Sequence, residues 1–83
     1  MTVKVYSKTQ TVCQQCNMTK KLLTRQGIDF VEESLEENKE ARNNFAAMGY
    51  MSAPVVEVER ENGEIERWAG FIPDKIRGLV VAE

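Results

Sequence analysis

The chain has 83 residues, 42% of them hydrophobic and 29% charged, with a net charge of −2. That length gives a single small domain, 1–83, and the weak acidity excludes the basic face that non-specific nucleic-acid binding needs. No run approaches the ~18 apolar residues of a membrane span. The opening MTVKVYSK lacks the apolar core and cleavage site of a secretory signal. A cytoplasmic monomer is therefore expected, without nucleic acid or membrane as partner.

Taken in chain order, Thr2–Ser7 alternates Val3 and Val5 with Lys4 and Tyr6, the period of a strand. Gln14–Gln26 reads as a helix with Met18, Leu22 and Leu23 as its apolar stripe and Gly27 as its stop. Ile28–Glu33 reads as a second strand. Asn38 caps a helix running to about Met48, with Ala41, Phe45 and Met48 on one face. Ala53–Glu59 is a strand opened by Pro54, tolerated at a first position because it removes only an edge donor. Asn62-Gly63 is a hairpin signal, and Ile65–Ala69 is the returning strand. Pro73 starts a last helix to about Val81, with Ile76, Leu79 and Val80 facing inward. The order β-α-β-α-β-β-α demands a parallel first pair with a right-handed crossover, then an antiparallel last pair. A four-stranded mixed sheet flanked by three helices satisfies it.

The two cysteines stand in Cys13-Gln14-Gln15-Cys16, after the first strand and at the head of the first helix. A helix N-terminus has unpaired N–H groups and a partial charge of roughly +0.5. A thiolate on Cys13 is stabilised there, and such motifs lower a thiol pKa from ~8.5 toward ~7 or below. Only the thiolate attacks a disulfide, so Cys13 suits a nucleophile and Cys16 a resolving thiol. A zinc site normally wants four ligands, and the chain has no histidine and no further cysteine. A cluster shared between two copies would supply four thiolates, which leaves a dimeric metal or iron–sulfur module as a rival of another class. A structural staple of this ring size is worth roughly 2 kcal/mol and suits an oxidising compartment. CxxC beside a β-α-β pattern favours the redox pair. The third strand should lie beside the first, bringing Ala53-Pro54 near the cysteine loop. A cis bond there would expose the backbone of Ala53 to a substrate peptide.

With CQQC, Gly49-Tyr50…Ala53-Pro54-Val55-Val56 and Trp68-Ala69-Gly70-Phe71-Ile72-Pro73-Asp74, the chain resembles the NrdH-redoxins. These are glutaredoxin-like proteins with a thioredoxin fold. The resemblance covers nearly the whole chain. It implies an α/β thioredoxin/glutaredoxin fold and a dithiol–disulfide oxidoreductase. Electrons would come from NADPH through thioredoxin reductase, with no cofactor or metal bound to the chain itself. They would go to class Ib ribonucleotide reductase or another disulfide protein. It also implies Cys13 as nucleophile, Cys16 as resolving thiol and Pro54 as a cis proline. Gln14, Gln15 and Ala53 would contact the partner, and Trp68, Gly70 and Phe71 would shape the rim. The alternative within the class is a glutathione-dependent glutaredoxin. Glutaredoxins bind glutathione with a Gly-Gly turn where this chain has bulky Phe71 and Ile72, which argues against it.

The chain departs from the family pattern before the first cysteine. YSKTQTVC keeps Lys8, lacks the usual proline and is two residues longer, which sets Lys8 farther from Cys13. The hairpin VEVERENGEIER is longer and more charged than usual, and reads as a solvated, charge-protected edge. The acidic run EESLEENKE reads as a solvated loop and helix start. Met18, Met48 and Met51 read as packing residues.

Overall fold

The computed structural model describes residues 1–79. The elements are β1 (Thr2–Ser7), α1 (Gln14–Arg25), β2 (Val31–Ser34), α2 (Lys39–Ala47), β3 (Val55–Glu59), β4 (Ile65–Ala69) and α3 (Pro73–Arg77). The element order expected from the sequence is the one observed. The sheet order is β2-β1-β3-β4. Strand β1 runs parallel to β2 and antiparallel to β3, with Tyr6 opposite Val55, and β4 runs antiparallel to β3, with Val55 opposite Ala69. The end of β1, the start of β3 and the end of β4 therefore lie side by side. That edge of the sheet carries the cysteine loop.

Strand alternation sorts the core onto two faces. Val3, Val5, Val56, Val58 and Trp68 face one way and meet Leu23, Ile28, Ile76 and Leu79. Tyr6 and Val55 face the other way and meet Leu35 and Phe45. The Tyr6 and Phe45 rings form an edge-on pair with centroids 4.8 Å apart. Beyond them on this second face, Lys4, Glu57 and Arg67 stand in one row across three strands. Arg67 Nε donates to Glu57 Oε2 at 2.8 Å, so that end of the face is polar.

Helices α1 and α2 end in the same way. Gly27 and Gly49 take φ of 73° and 91°. Ile28 N–H donates to Leu23 O at 2.9 Å and Tyr50 N–H to Phe45 O at 2.9 Å, with Gly27 N–H to Thr24 O and Gly49 N–H to Ala46 O inside them. These are Schellman closures, in which the residue after the glycine packs back on the last turn. The motif explains why Ile28, expected at the start of β2, is instead a buried cap on Leu23, and β2 begins only at Val31. The Asn62-Gly63 turn forms as a three-residue loop: Arg60 N–H donates to Glu64 O at 2.8 Å and Gly63 N–H to Arg60 O at 2.9 Å. Helix α3 ends at Arg77, with Ile76 and Leu79 buried. Val80 and Val81, expected to continue it, lie outside the described residues.

Three methionines depart from their expected packing role. Met18, Met48 and Met51 are 47%, 52% and 82% exposed. The inward stripe of α1 is Cys16, Thr19 and Leu23 instead. Thr19 is admitted because its hydroxyl donates to Gln15 O at 2.8 Å and so carries no unsatisfied donor inward.

Candidate active site

Cys13 is the N-cap of α1, with extended backbone (φ −132°, ψ 96°). Its carbonyl accepts from Asn17 N–H at 3.1 Å, and its Sγ accepts from Cys16 N–H at 3.3 Å. A side chain at this position meets the unpaired N–H groups of the first turn. The first turn holds no acidic residue, so nothing in it opposes a negative sulfur. Cys13 and Cys16 are joined as a disulfide, with Cα atoms 5.3 Å apart. Cys13 is half-buried, whereas Cys16 is 1% exposed, turned in under the helix.

The loop before Cys13 is held by Glu36. Its carboxylate accepts from Thr9 N–H at 2.6 Å and Gln10 N–H at 3.1 Å. The backbone N–H of Gln10, followed by that of Thr9, keeps this carboxyl below its ordinary pKa. One member of the acidic run is thus a loop anchor rather than only a solvated charge. The anchored loop brings Lys8 to the rim of a cleft of about 280 Å³ that Cys13, Asn17, Lys20 and Glu32 also line. Despite the longer loop, Lys8 and Cys13 line the same cleft. Lys20 is paired with Glu32 at 2.7 Å, while Lys8 has no ion pair among the described residues.

On the other side of the disulfide, Ala53–Pro54 is cis, as expected. Pro54 is buried, and its carbonyl accepts from Gly70 N–H at 2.7 Å. Among the described residues, neither the N–H nor the C=O of Ala53 pairs with another backbone group. Ala53 lines a mainly apolar groove of about 250 Å³ with Tyr50, Met51, Val55 and Leu35, edged by Lys8 and Arg42. Val12 and Met51, 89% and 82% exposed, stand one residue before Cys13 and two before Ala53.

Gln15 joins the cysteine helix to the segment after β4. Its Oε1 accepts from Phe71 N–H at 3.0 Å. Gly70 has φ +85°, and a Cβ there would lie 3.0 Å from that same Oε1. Only glycine meets both conditions without strain. Phe71 is half-buried, packs against the larger core cluster, and lines a cleft with Met18, Lys21, Leu22, Arg25 and Arg77.

Gln15, Pro54, Gly70 and the Phe71 backbone are therefore brought together beside the disulfide, with Ala53 in the adjoining groove. Gln14 is exposed, with no side-chain hydrogen bond among the described residues. Trp68 corrects the expectation of a rim residue. It is 3% exposed and lies in the core. It stands opposite Val56, so strand alternation turns it to the α1 and α3 face. Lys75 Nζ sits 5.6 Å above its ring and bonds Glu66 at 3.1 Å. The Gln15–Phe71 bond and the Glu36 anchor were missed in the sequence. Gly70 was the one signal for the first, as a place where backbone comes close to something.

A disulfide at the head of a helix, beside a cis-proline on a four-stranded mixed sheet, defines a dithiol–disulfide oxidoreductase of the thioredoxin fold. A glutaredoxin family model matches residues 3–62. The glutaredoxin-like protein NrdH of Escherichia coli K12 is 32% identical over 79 residues, covering 95% of this chain and 89% of that protein. The NrdH of Lactococcus lactis subsp. cremoris is 41% identical over 77 residues, covering 93% and 97%. The solved structure of the E. coli NrdH-redoxin, described as having a thioredoxin-like activity profile, superposes with a TM-score of 0.84 at 30% identity over the full length of both chains. The chain belongs to the glutaredoxin family, in its NrdH-redoxin branch.

Proposed function

We propose that this chain is a cytoplasmic electron carrier that receives electrons from NADPH through thioredoxin reductase and delivers them to class Ib ribonucleotide reductase. The single observation that carries the chemistry is the asymmetry of the two sulfurs: Cys13 is half-exposed at the N-cap and Cys16 is buried one turn on. In the reduced chain the Cys13 thiolate attacks one sulfur of a partner disulfide. The partner's S–S bond breaks, its second sulfur leaves as a thiolate and takes up a proton, and a mixed disulfide forms. The Cys16 thiolate then attacks Cys13 Sγ, the remaining partner thiol is released, and the Cys13–Cys16 disulfide closes. Two electrons pass to the partner in each cycle, and the reductase returns two. NADPH acts at the reductase, and the chain works as a monomer with no group bound to itself.

A protein partner is supported by the surface around the sulfurs. Exposed Val12, next to Cys13 in the chain, and the apolar groove that Met51 and Ala53 line offer contact area. The unpaired backbone of Ala53 offers an extended segment of the partner a hydrogen-bonding edge. Kinship to the NrdH proteins supports the choice of reductase and target.

The test is NADPH consumption in a coupled disulfide-reduction assay with two arms, one containing thioredoxin reductase and the other glutathione with glutathione reductase. Turnover in the first arm and little in the second is expected. Turnover mainly in the second would make the chain a glutathione-dependent glutaredoxin. Target choice is tested by supplying class Ib ribonucleotide reductase as the final acceptor. Deoxyribonucleotide formation is expected with the chain present, and its failure would remove that target.

A further inference from the structure

The cleft beside Cys13 carries three charged side chains, each from a different segment: Lys8 from the loop after β1, Lys20 from α1 and Glu32 from β2. The first turn of α1 adds no acidic residue, and Glu36 commits its carboxylate to Thr9 and Gln10 N–H. Cys13, Asn17 and Lys20 recur at the i, i+4, i+7 spacing of one helix face, and all three line the cleft. Helical side chains lean toward the N-terminus, so a free Lys20 ammonium would lean toward Cys13. It is instead held on β2, where its Nζ donates to Glu32 Oε2 at 2.7 Å. The Glu32 carboxyl lies below its ordinary 4.5, chiefly through that bond, and is ionised at neutral pH.

A cation beside a thiolate stabilises the reduced form of a CxxC pair and makes the couple more oxidising. An electron donor needs the opposite. We infer that Glu32 is a positioning residue for the cysteine pair, which tethers and neutralises Lys20 and so keeps a second cation from the Cys13 thiolate, holding the couple at a reducing potential. Lys8 and the helix N-terminus then activate Cys13 without trapping it as a stable thiolate. This deepens the proposed function and rests on its reading of Cys13 as the nucleophile.

Glu32→Gln keeps an oxygen for Lys20 Nζ but removes the charge that cancels it. The midpoint of Cys13 alkylation by iodoacetamide against pH should fall by about half a pH unit, the scale of one unit charge across a hydrated cleft. Reduction of Cys13–Cys16 by dithiothreitol breaks that disulfide, closes the dithiol into its own cyclic disulfide and moves two electrons to the chain. Its equilibrium constant at pH 7 should rise about twofold in Glu32→Gln, because the reduced chain gains the more stable thiolate. Lys20→Met leaves the Glu32 charge uncancelled in the cleft, and both readings should move the opposite way. The Lys20→Met, Glu32→Gln double variant removes both charges and should return both readings close to the wild type.

Opposite shifts in the single variants, restored in the double variant, would support the inference. If both single variants merely lower Tm, with midpoint and equilibrium unmoved or moved alike, the pair only braces α1 on β2 and the inference fails. A wild type in which Cys16 is alkylated first would overturn the reading of Cys13 and this inference together. Labelling of Cys13 first, without opposite shifts in the variants, would overturn this inference alone.

Discussion

Among the described residues, the face of the sheet under α1 and α3 buries nine hydrophobic residues in one cluster, while the face under α2 buries four. Helix α1 turns in Cys16, Thr19 and Leu23, whereas α2 turns in Phe45 alone. The helix that carries both cysteines is thus the firmly seated one. The lightly seated helix borders the groove beside Ala53. The difference separates two tasks. The sulfurs need a fixed geometry with respect to the helix N-terminus, and the docking wall needs open apolar surface more than rigidity.

Breaking the firmly seated side should cost most. Leu23→Ala removes a fully buried side chain that also anchors the Schellman closure of α1, and should lower unfolding free energy by about 4 kcal/mol in urea titration. Phe45→Ala on the other face should cost about 3 kcal/mol, because the smaller cluster can close around the loss. If Phe45→Ala proves the costlier of the two, the comparison of the faces is wrong. Asn38 Oδ1 accepts from Ala41 N–H at 3.1 Å, and Asn38→Ala should cost about 1 kcal/mol. Such a loss, measured by urea titration, should leave the Cys13 reaction rate of the folded protein as it was.

The smallest effect depends on pH. Lys20 ties α1 to β2 through Glu32, and its hydrogen bond is the main cause holding the Glu32 carboxyl below its ordinary value of 4.5. A carboxyl whose folded pKa is depressed contributes stability above its unfolded pKa and loses it as pH falls through the folded pKa. Lys20→Met should therefore be less stable than the wild type at pH 7 by no more than about 1 kcal/mol, since both groups are partly exposed. The gap should close as pH drops below 4.5, through the depressed folded value. A gap that widened in acid would reverse the assignment.

Strand periods, caps and the CxxC position were legible because each is local. Val3 and Val5, Asn38 and the hairpin around Gly63 declare themselves within a few residues. Side-chain destinations were less so. Met18 and Thr19 adjoin on α1, and hydropathy chose the methionine where helical geometry buries the threonine, whose hydroxyl is satisfied within the helix. Trp68 could face either side of β4, and its pairing with Val56 decides the matter. The Gln15–Phe71 bond spans 56 positions and the Glu36–Thr9 bond 27, so no local pattern contains them.

In the proposed function, the helix N-terminus makes Cys13, and not Cys16, the reacting thiol. Its most direct test is the rate of iodoacetamide alkylation of the reduced chain as a function of pH, with the modified residue located by mass spectrometry. Cys13 is expected to react first, with a midpoint below the ~8.5 of a free thiol and toward ~7, while Cys16 stays protected. Equal labelling, labelling of Cys16 first, or a midpoint at ~8.5 or above would contradict it.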